Sequence, residues 1–188
     1  MTVKYAPASD SEALGSQSVN DLIIRRAVPE DAAAIRDIYN YEVEHETSTF
    51  DLVTRTLDVQ REWIKDRSGA FAAVVATLDG QVVGFGALSE YRDRAAYSTS
   101  VEDSVYVSRG RSRQGIGRAI LEYLLNEALQ SGFHVVMARI EASGSGSRAL
   151  HEACGFDLVG IEREIGRKFG RWLNVALMQC VLHERESN

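Results

Sequence analysis

The run Val105-Tyr106-Val107-Ser108-Arg109-Gly110-Arg111-Ser112-Arg113-Gln114-Gly115-Ile116-Gly117-Arg118 carries a strand into a glycine-containing turn and then into a helix. Upstream, Ser100 to Val107 alternates: Val101, Asp103, Val105 and Val107 face one way, and Glu102, Ser104 and Tyr106 the other. One acid therefore sits on each face. Downstream, Ile116, Ala119, Ile120, Tyr123 and Leu124 recur at helical spacing until Ser131-Gly132 supplies a stop. The first N–H groups of a helix lack intrahelical partners and carry the positive end of its dipole, and Gly115 and Gly117 let an anion approach the backbone. Arg109, Arg111, Arg113 and Arg118 add positive charge without an intervening acid. A diphosphate suits this turn; a solvated basic turn with glycines kept for close packing is the competing reading. The spacing is neither G-x-G-x-x-G nor GxxxxGK[ST], which removes most support for dinucleotide binding and for nucleotide hydrolysis.

The rest of the chain supplies the frame. Leu22 to Ile24 reads as a short strand, and Pro29 opens a helix through Ile35, Ile38 and Tyr39. A second helix fits Leu57 to Asp66. Two β-rich runs flank Asp79-Gly80, a hairpin signal. Val135 to Ile140 reads as a strand, Ser147 to Cys154 as a helix, and Phe156 to Ile161 and Trp172 to Val181 as closing strands. The order β-α-α-β-β-β-α-β-α-β-β gives an α+β class with a mixed, largely antiparallel central sheet flanked by helices. Residues 1–20 read as a flexible leader, 21–183 as one domain and 184–188 as a tail.

With 188 residues, 45% of them apolar, the chain can bury one sizeable core. Its 21 basic against 27 acidic side chains leave a net charge of −6, which disfavours nucleic acid as a partner. No apolar run approaches the length that crosses a bilayer, and the expected setting is cytoplasmic. Cys154 and Cys180 lack metal-ligand spacing, so no metal is expected.

Ser112-Arg113-Gln114-Gly115-Ile116-Gly117 resembles the coenzyme A signature [Q/R]-x-x-G-x-[G/A] of the GNAT N-acetyltransferases, with Ser112 in place of Gln or Arg. The likeness extends from about Ile23 to Leu182. It narrows to the phosphinothricin and methionine sulfone/sulfoximine acetyltransferase-like branch through Tyr39-Asn40, Glu46-Thr47-Ser48-Thr49, Arg92-Asp93-Arg94-Ala95-Ala96-Tyr97, Val101 to Val107, Leu150-His151-Glu152 and Gly166-Arg167-Lys168 with Gly170-Arg171-Trp172. Gly144 and Asn174 depart from that branch's Asn and Asp.

The resemblance implies a sheet that splays after its fourth strand (Ser100–Val107, counting from Leu22) and admits the pantetheine arm of acetyl-CoA. It assigns coenzyme contacts to Val105, Tyr106, Val107, Arg113, Gln114, Gly115, Ile116, Gly117, Arg118, Gly144 and Ser147. It also implies a small amine substrate held by Phe50, Arg92, Arg94, Tyr97, Ser100, Val101 and Glu102, and a homodimer.

Acetyl transfer needs a neutral amine, stabilised oxygen charge and a proton for the thiolate. Glu102 is the candidate base and His151 the candidate acid. A backbone N–H near Tyr106 or Val107 is the candidate oxyanion donor. Arg92 and Arg94 suit capture of a carboxylate. Two other readings stay open: a same-fold enzyme acting on a protein N-terminus, a polyamine or an antibiotic, and an acyl-CoA-binding regulatory module without turnover.

Overall fold

A computed structural model describes residues 2–5, 21–67 and 69–185. Its strands are β1 (Thr2–Tyr5), β2 (Asp21–Arg26), β3 (Ala73–Leu78), β4 (Gln81–Glu90), β5 (Ser100–Val107), β6 (Val135–Glu141), β7 (Asp157–Lys168) and β8 (Arg171–Val181). They form one sheet in the order β1-β2-β3-β4-β5-β6-β8-β7, parallel at β1/β2 and β5/β6 and antiparallel elsewhere. Helices α1 (Ala32–His45) and α2 (Leu57–Lys65) precede β3; α3 (Ile116–Gln130), α4 (Ser145–Ala153) and α5 (Leu182–Arg185) follow β5, β6 and β8.

Local chemistry accounts for most of these bounds. Asp79 and Gly80 both take positive φ, as the tight β3–β4 hairpin requires. The Thr56 side chain caps α2 by accepting from the Val59 N–H. Gly132, at φ +80°, follows the last turn of α3.

Two elements differ from the sequence reading. Thr2–Tyr5, expected in a flexible leader, is a strand beside β2, with Lys4 paired to Asp21 at 2.5 Å and the Tyr5 ring stacked on Tyr123 at 5.8 Å. Such a strand has no apolar period to betray it, since all four of its residues are exposed. Residues 6–20 of that leader lie outside the described residues, as do 186–188 of the expected tail, whose start is occupied by the end of α5. Strand β7 runs to Lys168 rather than ending near Ile161. Its second half, Glu162 to Lys168, is charged and shifts register against β8, so no alternation marks it.

The sheet separates two cores. On one side α3 lays Ile116, Ile120 and Leu124 against Leu22, Val74 and Leu88. On the other, Ile35, Tyr39, Val43 and Ile64 of α1 and α2 meet Val75 and Phe85, with Tyr106 packed alongside. Gly86 sets the approach of α3: a Cβ there would lie 2.6 Å from Ile120 Cγ2 and 2.9 Å from the Ser104 carbonyl.

The functional feature of the fold is a divergence. Strands β5 and β6 pair only at Ser100↔Val135, Val101↔Val136 and Glu102↔Met137. Beyond that point β5 stays paired to β4 as far as Val107, and β6 to β8 as far as Glu141. Each strand keeps one neighbour, so a gap opens between them and leaves backbone groups of β5 available to a ligand.

Candidate active site

The gap is part of a cleft of about 1160 Å³, bounded by β5, β6, the turn after β5, the starts of α3 and α4, and residues 46–50. Strand register determines which backbone groups face it. Ser108 donates its N–H to the Val83 carbonyl at 2.9 Å, so Phe85 with Tyr106 is the next hydrogen-bonded pair along the antiparallel ladder. The backbone of Tyr106 is therefore occupied by β4 and the Asp103 N–H by the Met137 carbonyl of the last parallel pair, while the Asp103 C=O and the N–H and C=O groups of Val105 and Val107 point into the gap. Tyr106 therefore lines the cleft with its side chain and not with its backbone groups. Its half-buried ring lies 5.1 Å from Phe85 and 5.3 Å from Tyr39, and desolvation pushes its phenol well above the usual range.

At the far end of β5, Gly115 takes φ +79° and caps α3 with no side-chain bond. The first intrahelical bond there is Ala119 N–H to the Gly115 carbonyl at 3.0 Å, so the N–H groups of Ile116, Gly117 and Arg118 precede the ladder. Gly117 packs closely: a Cβ would meet Leu150 at 3.2 Å and Val107 at 3.7 Å. Orphan donors at a helix start, next to the unpaired edge of a strand, suit a diphosphate joined to an extended amide arm.

The arginines divide. Arg109 lies 2.9 Å from Glu42 and 3.0 Å from Glu46, which ties the turn to α1. Arg118 pairs with Glu122 at 2.8 Å. Arg111 and Arg113 line the cleft and have no ion-pair partner among the described residues. Gln114 turns away, with Nε2 3.4 Å from the Gly110 carbonyl, and is not part of the cleft wall.

Glu102 lines the same cleft on the opposite face from Val105. Burial raises its carboxyl from 4.5 to about 7; nearby Arg139 opposes the rise, and Asp103 and Glu162 add to it. A carboxyl near 7 is matched to proton abstraction at neutral pH. Arg139, two residues past Glu102's partner Met137 on β6, shares its face of the sheet and is bonded to Glu162 at 2.8 Å. Sequence reading missed it because a single arginine in a strand carries no signal.

His151 and Ser147 lie on α4 and line the cleft, with Gly144 at the helix start. His151 is not a surface histidine. It is buried, with Nδ1 2.7 Å from the Ser147 carbonyl and Nε2 3.1 Å from Asp103 Oδ2. Burial alone would lower its pKa, but the Asp103 charge, its hydrogen bond and the Ser147 carbonyl together hold it above the ordinary imidazole value.

The acceptor end is assembled by residues that the sequence left without roles. Asn40 holds Arg55 from both sides, donating to its carbonyl at 2.9 Å and accepting from its N–H at 2.8 Å. Lys168, buried at the end of β7, donates to the carbonyls of Glu42 at 3.2 Å and Thr49 at 2.8 Å. These bonds hold residues 46–50 over the sheet and present Phe50, whose ring covers Gly166 so closely that a Cβ there would fall 2.1 Å from it.

Other expected substrate contacts lie elsewhere. Arg92 stacks on Tyr91 and Tyr97, at 5.0 and 5.5 Å from the ring centroids. Neither it, Arg94, Tyr97 nor Ser100 forms part of the cleft wall. Val101 is fully buried and paired on both sides, to Glu90 and to Val136, which leaves it no group for a ligand. Asn174 has a structural task, accepting the Glu164 N–H at 2.8 Å.

Residues 24–177 match the acetyltransferase (GNAT) domain family. An L-amino acid N-acyltransferase, MnaT, of Escherichia coli is 35% identical over 86% of this chain and 95% of its own length. A phosphinothricin N-acetyltransferase of Streptomyces coelicolor is 36% identical, over 81% of this chain and 92% of its own. Among solved structures, a phosphinothricin acetyltransferase from Sinorhizobium meliloti in complex with acetyl-CoA superposes with a TM-score of 0.82 at 34% identity, covering 88% of this chain and 89% of the other. A ribosomal-protein-alanine N-acetyltransferase from Brucella melitensis gives 0.83 at 37% identity, with 85% and 99% covered. The diverging strands, the uncapped helix start and these matches have one explanation: the chain belongs to the GNAT family of N-acetyltransferases.

Proposed function

We propose that the enzyme transfers the acetyl group of acetyl-CoA to the amino group of a small amino-acid-like substrate of the phosphinothricin, methionine sulfone or methionine sulfoximine type. Transfer is by direct attack, without an acyl-enzyme. The observation that carries this reading is the placement of Glu102 at the point where β5 and β6 part, so that a base meets the mouth of the coenzyme gap.

The N–H groups of Ile116, Gly117 and Arg118, with Arg111 and Arg113, hold the diphosphate. Val105 and Val107 offer backbone groups to the pantetheine arm, and Ser147 and Gly144 border it from α4. Acetyl-CoA supplies the activated acyl group. Glu102 accepts a proton from the amine, and the gap-facing N–H groups of β5 stabilise the developing oxygen charge, a contribution of about 3–4 kcal/mol per donor in comparable sites. His151 is the proton source for the sulfur. The amine enters beside Phe50 and Arg139, and Arg139 is the guanidinium on this part of the cleft wall that can meet a carboxylate. Nothing in the scheme requires Cys154, which is buried at the end of α4.

The likeness to a ribosomal-protein-alanine N-acetyltransferase favours a second reading, an N-terminal alanine as acceptor. Thiol release from acetyl-CoA separates the two: methionine sulfone or phosphinothricin should turn over with kcat/KM at least tenfold above alanine-initiated peptides, and the reverse order would refute the first reading. A homodimer accords with the exposed apolar side chains of Ile161, Ile165, Phe169 and Trp172 on β7, β8 and the turn between them. Light scattering at micromolar concentration tests it, and a monomer would refute it.

A further inference from the structure

We propose that Asp103 is a positioning residue that keeps His151 doubly protonated beside the coenzyme gap, so that the Asp103–His151 pair stores the proton given to the departing thiolate. This rests on the acetyl-transfer reading above and assigns a task to an acid on the opposite face of β5 from the base.

The placement is unusual for a carboxylate. The two-residue period of Val101-Glu102-Asp103 sends Asp103 to the side where Val101 is wholly buried under α3, and the Asp103 and His151 side chains are 1% and 4% exposed. A carboxylate there needs a partner. The hydrogen bonds of the ring fix what that partner is. A backbone carbonyl can only accept, so His151 Nδ1, 2.7 Å from the Ser147 oxygen, carries a hydrogen. Were the ring neutral beside an ionised Asp103, Nε2 would then turn a lone pair toward Asp103 Oδ2 at 3.1 Å, acceptor against acceptor. A proton on Nε2 converts that repulsion into a charge-assisted hydrogen bond.

Among the described residues no other charge has this effect on the ring. From β5, Glu102 points to the opposite face of the sheet. Phe156, just before β7, presents an aromatic edge at 4.9 Å. On α3, Arg118 pairs with Glu122 and interacts with Cys154 of the α4 end. Asp103 also has a second oxygen, Oδ1, that is buried without a hydrogen-bond partner among the described residues, in a side chain that forms part of the cleft wall. An acceptor left over at the gap suits a donor arriving with the coenzyme.

The proton balance closes. An ammonium substrate loses two protons on becoming an amide: the first passes to Glu102, which gives it up to solvent so that the amine can attack, and Glu102 takes the second as the C–N bond forms and releases it to solvent before the next cycle. As the C–S bond breaks, its electron pair goes to sulfur, and the Nε2 proton of His151 follows to give the thiol. The pair, now neutral imidazole with carboxylate, is reprotonated from solvent, and one proton is released per turnover.

The first test uses the wild-type chain: ¹⁵N-histidine spectra at pH 7.5 should show both His151 nitrogens protonated, and a neutral ring with a free Nε2 lone pair overturns the proposal. The second uses Asp103→Asn, which keeps the shape. Asn turns Nε2 into an acceptor and leaves only the Ser147 carbonyl to oppose burial, so the His151 titration and the alkaline limb of kcat should both fall by at least about one pH unit. At pH 8 kcat should drop by about 10²-fold, with KM for acetyl-CoA within threefold. If the limb stays in place in an active, folded variant, the proposal is wrong. A wild-type chain that acetylates no amine would instead refute the acetyl-transfer reading, and the ¹⁵N signature would distinguish that failure from this one.

Discussion

Replacing Glu102 with Gln should make the protein slower and more stable at once. The carboxyl rises from 4.5 to about 7 because burial penalises its charge, with Arg139 only partly offsetting this. Between those two pH values the folded chain binds more protons than the unfolded one, so stability falls as pH rises through that window and stays lower above it. A rise of about 2.5 pH units corresponds to roughly 3 kcal/mol at 1.36 kcal/mol per unit. The partial exposure of the side chain and the burial cost of the Gln amide reduce the expected gain to about 1–2 kcal/mol. In a chain of this size that is a Tm increase of roughly 2–8 °C. Thermal unfolding of the two proteins at pH 8 and at pH 4.5 is the assay: the difference should appear at the first and vanish at the second. Thiol release at pH 8 should meanwhile fall about 10²–10⁴-fold, the usual contribution of a positioned base. A variant that is slow but no more stable at pH 8 would show that Glu102 is not held in a desolvated site, and an unchanged rate would remove it from the mechanism.

Four further outcomes follow from the same geometry. Wild-type kcat/KM against pH should be bell-shaped, rising through about 7 as Glu102 ionises and falling at higher pH as the Asp103–His151 pair loses its proton; a flat profile between pH 6 and 9 would contradict both assignments. Arg111→Ala with Arg113→Ala should raise KM for acetyl-CoA about tenfold or more and make it less sensitive to salt, whereas Arg109→Ala, which unties α1, should lower Tm. Gly86→Ala should cost about 1–3 kcal/mol in urea unfolding, because its methyl would strike Ile120 and the Ser104 carbonyl. Gly166→Ala should displace the Phe50 ring and change KM for the amine severalfold while leaving KM for acetyl-CoA unchanged; equal shifts in both would place Phe50 outside the acceptor site.

Several features of this enzyme are written in short range. A hairpin at Asp79-Gly80, the alternation of Ser100–Val107 and the helix from Ile116 need only neighbours in sequence, because they depend on backbone preference and on a repeat of two or 3.6 residues. The anion-binding turn belongs with them, since its donors are the backbone of a helix start. What the sequence could not weigh is which charged groups are already spoken for. Arg109 looks like its neighbours until it meets Glu42, 67 residues away, and Arg92 looks like a carboxylate ligand until it lies on two tyrosine rings.

His151 and Asp103 are separated by 48 positions, and only the packing of α4 against β5 makes one proton common to both. The β5/β6 gap likewise arises because each strand follows its other neighbour. Periodicity reports how a segment faces a core; the partner of a buried charge, and hence its protonation, exists only once distant segments have been brought within hydrogen-bonding distance.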